Sequence, residues 1–226
     1  MWYKVKKIYV WTTKVRPSWW TPWANTLIYY PLTSNLVDQM GNGNTGTMHW
    51  TCTFDSNTGI HVTWKSSNYV TWLSNWINNR NLFTLNVRWK LDSSQNWSYL
   101  LWYSTGTGST QCLNISGWNW EIHWDIRFTD GTTSQSVITY NSNWHNYCFV
   151  CSNGTCKAYI DWVLKDTKST SAYTNNVSTM ELWWGWTYWS GRSWDWYIKD
   201  FIVETVAWSD AEISDYYNLT KSNYWL

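Results

Sequence analysis

The sequence predicts an all-β chain: a two-sheet antiparallel β-sandwich carrying one short C-terminal helix. Three observations lead there. Phe83, Leu85, Val87, Trp89 and Leu91 alternate with Thr84, Asn86, Arg88 and Lys90, the period of two that a pleated strand imposes. Tyr147 to Ser152 and Thr155 to Asp161 are apolar runs separated by Asn153-Gly154, the strongest short-range hairpin signal, because both turn positions need positive φ. Roughly a dozen runs of this kind, spaced by turn residues, imply two packed antiparallel sheets rather than a parallel array.

Length and composition fit one such domain. At 226 residues a single sandwich is the natural count. The formal charge is +1, charged residues make up 14%, and no basic block occurs, which argues against a nucleic-acid partner. No apolar run is long enough to cross a bilayer. Met1 to Lys7 is charged and no apolar region follows, so the usual export signal is not recognisable.

Residues 1–24 read as a prefix or linker, with Pro17 and Pro22 among Ser, Thr and Trp. Lys7 to Val10 could form a short strand, and the segment could dock to another subunit or stay a loose tail. The domain proper covers 25–219, with 220–226 as a tail. Strands are expected at Leu27 to Tyr30, Met48 to Phe54, Gly59 to Val62, Tyr69 to Leu73, Phe83 to Leu91, Ser98 to Ser104 and Gln111 to Ser116. Glu121 to Phe128 turns through Asp130-Gly131 into Gln135 to Tyr140. After the Asn-Gly hairpin, a second turn at Asp161-Trp162 releases Val163-Leu164. Met180 to Trp184 and Tyr197 to Thr205 complete the strands, and Ser209-Asp210-Ala211-Glu212 is a capping box opening a helix near Ile213 to Leu219.

Five cysteines leave at least one unpaired within the chain. Cys148, Cys151 and Cys156 lack a nearby fourth ligand, which makes zinc a weak reading. If Asn153-Gly154 is a two-residue turn, Cys151 faces Cys156 at a separation compatible with a disulfide. Buried free thiols are the preferred alternative.

Three stretches carry a family resemblance. Trp144-His145 opening a strand, with Tyr159-Ile160-Asp161 closing the next, resembles the late hairpin of concanavalin A-like, laminin G-like domains. Leu27 to Leu32, followed by Asp38 and the Gly41-Asn42-Gly43-Asn44 loop, is similar to the family's opening strand and loop. Tyr197 to Val203, then Trp208 to Ile213, resembles its closing strand and terminal helical turn. The resemblance spans roughly 27–218. It implies a jelly-roll arrangement with the terminal strands as neighbours.

Tryptophan is over-represented, at 25 residues against 11 glycines. Average glycine usage is about 7%. Trp162 follows Asp161 in a tight turn, Trp186 and Trp189 lie near Gly185 and Gly191, and Trp19, Trp20 and Trp23 fall in the prefix. The resembling family has glycine at the positions matching Trp162 and Trp196. A Trp at positive φ costs about 1–2 kcal/mol through Cβ crowding. The expectation is that some tryptophans are UGA codons meant as glycine, since UGA is read as Trp in one variant code and as Gly in some uncultivated bacteria and their phages. Trp76, Trp89, Trp102, Trp144 and Trp208 suit their contexts. The competing reading is a genuinely Trp-rich binding surface.

The chemistry-bearing patterns favour binding over catalysis. Glu121 and Asp125 flank His123 on one strand, four residues and about 13 Å apart, too far for the paired carboxylates of a retaining glycosidase. No Ser/His/Asp pattern, phosphate-binding glycine loop or nucleotide motif is present, and His145 is read as structural. Calcium is the candidate cofactor, with Asp38, Gly43 and Asn44 as ligands and Asp200 added by the resemblance, although few carboxylates are evident. The alternative is that Asp38 and Asn44 only cap their turn. Sugar stacking would use loop aromatics and polar neighbours, with Tyr188, Arg192, Asp195 and Tyr103 as candidates. The expectation is a non-catalytic carbohydrate or surface-recognition module, extracellular or virion-associated. A structural domain of a phage tail or surface assembly is the alternative.

Overall fold

A computed structural model describes residues 25–42, 45–49, 52–63, 69–72, 82–91, 98–104, 111–118, 121–127, 133–139, 141–169, 179–182 and 195–224. Among them, strands in chain order are β1 (Thr26–Tyr30), β2 (Thr47–His49), β3 (Cys52–Asp55), β4 (Gly59–Thr63), β5 (Tyr69–Trp72), β6 (Leu82–Leu91), β7 (Ser98–Ser104) and β8 (Gln111–Trp118). They continue as β9 (Glu121–Arg127), β10 (Thr133–Thr139), β11 (His145–Ser152), β12 (Thr155–Ile160), β13 (Val163–Ser169), β14 (Thr179–Leu182) and β15 (Asp195–Glu204). The helix α1 (Asp210–Thr220) follows, with a 3-10 turn at Lys221–Tyr224.

The strands form an antiparallel β-sandwich. One sheet runs β13-β12-β11-β6-β15-β4-β3, with β1 also paired to β15; the other runs β10-β9-β8-β7-β14-β5-β2. The expected neighbouring of the terminal strands is observed, Tyr29 lying opposite Ile202 and Tyr30 opposite Phe201. On one edge β15 is shared in tandem, Asp195 to Ile198 pairing with β4 and Phe201 to Glu204 with β1. An irregularity between Lys199 and Ile202 makes the changeover, and Asp200 there takes φ 56°. Gly59 starts β4 at φ 79°, where a Cβ would run into the Ile198 carbonyl oxygen.

The alternation in β6 builds two cores. Phe83, Leu85, Val87 and Trp89 are buried on the face turned to the second sheet, beside Tyr147 and Phe149 of β11. Thr84, Asn86 and Arg88, on the polar side of the alternation, are nonetheless fully buried. The reason is α1: its Ile213 and Tyr216 pack with Trp208 on Tyr29, Cys148, Val150, Tyr159 and Ile202. Helix formation follows the predicted capping box, the Ser209 Oγ accepting the Glu212 N–H and Glu212 accepting the Ser209 N–H at 2.7 Å. Asp210 and Glu212 in the first turn also suit the helix dipole.

Some boundaries differ. The expected strand Met48 to Phe54 is two strands in different sheets, β2 pairing β5 and β3 pairing β4. β13 runs to Ser169 because β12 supplies partners as far as Thr155. The helix passes the expected 219 boundary because Thr220 is buried and tied to Arg88.

Candidate functional site

On the outer face of the first sheet, β15 runs between β6 and β4. Lys199 of β15 stands directly opposite Arg88 of β6, and both are buried. Their charges are drawn apart by different acceptors. Arg88 donates to the Thr220 carbonyl at 3.3 Å and to the Thr220 hydroxyl, and lies 5.7 Å from the Tyr216 ring centroid. Its Nε is 3.9 Å from Asp200 Oδ2. Lys199 Nζ donates to the carbonyls of Ser56 and Asn57 at 3.1 and 2.8 Å. Burial, then the Arg88 charge, lowers the Lys199 amine to about 8, against a smaller raising effect from Asp55.

Of the predicted calcium residues, Asp38 and Asp200 are described, and both are buried. Asp38 Oδ1 accepts the N–H groups of Tyr29 and Met40, both at 3.0 Å, which is the turn-capping role. Asp200 Oδ1 accepts the Tyr29 hydroxyl at 3.2 Å, and its other oxygen faces Arg88. Gly43 and Asn44 lie outside the described residues, among which no group of three or more metal-ligating side chains occurs.

One step towards the sheet end, the outer face becomes half exposed and aromatic. His61 of β4 and Tyr197 of β15 are ladder partners whose rings stack at 4.1 Å, 7° from parallel. Lys90 of β6 lies opposite Tyr197 with its ammonium 5.2 Å from the ring centroid. Trp144, just before β11, brings its ring to 6.3 Å from Tyr197. The row needs the strand order to exist. Sequence reasoning missed it, although the β6 alternation does place Lys90 on this face.

The neighbouring turn holds His145 and Asp161. His145 Nδ1 is 2.6 Å from Asp161 Oδ2, and Nε2 is 2.9 Å from Asn141 Oδ1. Asn141 Oδ1 also accepts the Asn143 N–H, and Asp161 Oδ1 accepts the Asn146 N–H. These bonds fasten the entry of β11 to the β12–β13 turn, the structural role expected of His145. Both turn residues have positive φ, 49° at Asp161 and 71° at Trp162, and Trp162 stacks 6.0 Å from Tyr217. Asn153-Gly154 is the predicted two-residue turn, at φ 45° and 85°, with Ser152 opposite Thr155. Cys151 and Cys156 form a disulfide with Cα atoms 4.2 Å apart, so the preferred free-thiol reading fails for this pair.

Two of the other candidates, Tyr103 and Asp195, lie in different sheets. Tyr103 pairs with Met180 and Leu113 in the second sheet, whereas Asp195 opens β15 opposite Thr63 in the first. Tyr188 and Arg192 lie outside the described residues, in the segment that enters β15 at Asp195. Glu121 and Asp125 occupy separate rungs of β9, opposite Thr139 and Gln135.

No family model matches the chain, and no curated protein matches it in sequence. Solved structures do. A structure of botulinum neurotoxin type C, whose cell entry is described as dependent upon interaction with two ganglioside molecules, aligns at TM-score 0.74 and 11% identity over 86% of this chain and 51% of that one. The binding domain of botulinum neurotoxin DC in complex with rat synaptotagmin II aligns at 0.73 and 11%, over 86% and 51%. The serotype G binding domain aligns at 0.73 and 15%, over 88% and 52%. The likeness is one of fold. This chain spans about half the length of those chains. Among the described residues no helix is long and apolar enough to cross a membrane.

Proposed function

We propose that the chain is a non-catalytic recognition module that holds a glycan or another cell-surface partner. The observation that carries this is the shared sandwich: two structures with the same fold are described as binding domains, in complex with SialylT and with rat synaptotagmin II, and a third is of a toxin whose cell entry is described as dependent upon interaction with two ganglioside molecules. The wide spacing of Glu121 and Asp125 along β9 supports a non-enzymatic role. An extracellular setting is supported by the Cys151–Cys156 disulfide, a bond that persists in oxidising compartments. Tyr103, Tyr188, Arg192 and Asp195 remain proposed ligand contacts, and calcium enters the proposal through Asp38 and the loop after it.

A glycan array run with calcium and again with chelator tests the reading. Binding to defined glycans supports it, and loss of that binding in chelator assigns calcium a part. Hydrolysis of a polysaccharide would overturn the non-catalytic claim.

A second reading, a structural domain of a phage tail or surface assembly docking through residues 1–24, is favoured by one observation. Val163 and Leu164 leave apolar surface on the edge strand β13, at 45% and 43% exposure. We also propose that the residue meant at position 162 is glycine, which the positive φ there supports. A UGG codon at that position in the gene would refute it.

A further inference from the structure

Two buried amides lie beneath the C-terminal helix. On the outer face of β6, Thr84 donates to the Val206 carbonyl and accepts the Trp208 N–H, both at 2.8 Å, while Arg88 donates to the Thr220 carbonyl at 3.3 Å. Asn86 lies between these two fastenings, so the segment that forms α1 closes over it, and it is fully buried. Asn146 of β11 is the ladder partner of Arg88 and is equally buried. The Asn146 Nδ2 donates to Asn86 Oδ1 at 2.9 Å. Asn86 Nδ2 and Asn146 Oδ1 meet no protein partner. Turning both amides by half a rotation only reverses their bond, so one donor and one acceptor are left over either way.

We propose that these two atoms hold a single internal water, sealed between the first sheet and α1, which accepts from Asn86 and donates to Asn146. This site is independent of the recognition reading above.

The chemistry selects water over other occupants. A buried donor or acceptor without a partner is costly, and native interiors satisfy nearly all of them. Neither amide can swing out to solvent, because both main chains are pinned. Asn86 is paired on both sides, to Cys148 and Ile202. The Asn146 N–H donates to Asp161 Oδ1 at 2.8 Å, and its carbonyl accepts the Asp161 N–H at 2.9 Å. A metal cation needs acceptors only, and a halide needs donors only. An enclosed site offering one of each suits a small molecule that both donates and accepts. Arg88 Nε and Asp200 Oδ2, 3.9 Å apart, continue the polar layer beside Asn146. A polar lining is what separates a hydrated interior site from a dry one.

Two measurements on the full chain test this. The first is a crystal structure of the parent protein, resolved finely enough to show ordered water. A water peak within about 2.7–3.2 Å of both side-chain amides is expected. The two amides bonded only to each other, with no density between their remaining atoms, would overturn the proposal. The second is oxygen-17 magnetic relaxation dispersion, which counts waters that stay bound longer than the protein tumbles. Asn86→Leu/Asn146→Leu removes donor and acceptor together and should lower the dispersion by the amplitude of a single water. A folded double variant with undiminished dispersion would refute the site. The crystal measurement uses the parent alone, so a double variant that does not fold leaves the question decided there.

Discussion

Arg88 and Lys199 face each other across the β6–β15 ladder, two buried cations on adjacent strands. Like charges directly opposite in a sheet destabilise it unless each finds its own acceptors. Arg88 turns towards Thr220 and Asp200, and Lys199 towards the carbonyls of the β3–β4 turn. The pair thereby ties the C-terminal helix and the β3–β4 hairpin to the same strand. Removing Arg88 takes the guanidinium away from the buried Asp200 carboxylate. Arg88→Met should cost about 3–5 kcal/mol in urea unfolding. In Arg88→Met/Asp200→Asn the loss should fall short of the sum of the singles by about 1–3 kcal/mol. Asn tolerates the positive φ of Asp200, so strict additivity would show that the two do not interact.

Lys199 predicts a pH dependence. Its folded-state value of about 8 lies below the ordinary 10.5, so between those values the unfolded chain holds a proton that the folded chain has released. Stability should therefore rise with pH across that window, by roughly 1 kcal/mol per unit at most. The burial cost is present in full below pH 8. Lys199→Met should flatten the slope in unfolding curves collected from pH 7 to 10, and an unchanged slope would assign it to other groups.

Trp162 and Trp89 should respond in opposite senses to shortening. Trp162 sits at φ 71° and is 44% exposed, whereas Trp89 is 1% exposed in the sandwich core. Trp162→Gly relieves about 1–2 kcal/mol of Cβ crowding and gives up a ring stack of about 0.5–1.5 kcal/mol. A neutral to slightly stabilising change is expected. Trp89→Ala should lose about 3–5 kcal/mol. Calorimetry on the two variants decides it, and a large loss at 162 would count against glycine there.

Reducing the disulfide should matter modestly. Cys151 and Cys156 close a loop with sequence separation 5, short enough that the denatured chain is constrained by only about 2 kcal/mol. Urea midpoints with and without a strong reductant should differ by that amount. A reduced protein of equal stability would show that the hairpin register holds itself.

Much was legible because it is local. The Asn153-Gly154 turn, the Cys151–Cys156 opposition, the Ser209 capping box and the β6 alternation all depend on residues within one turn or one hairpin of each other. What failed involved partners far along the chain. The single strand expected at Met48 to Phe54 is divided because β5 and β4 claim its two halves for different sheets. Thr84, Asn86 and Arg88 look like a solvated face until the helix more than a hundred residues later covers them.

By itself the sequence determined the strands, their inward faces, the tight turns and the helix start, since backbone sterics and hydrophobic period act over a few residues. Tertiary structure alone decided strand order. Order in turn decided that Asp200 answers Arg88, and that His61, Tyr197, Lys90 and Trp144 form one surface. Side chains from strands separated by tens of residues become neighbours only when the sheet hydrogen-bonds them into adjacent rows.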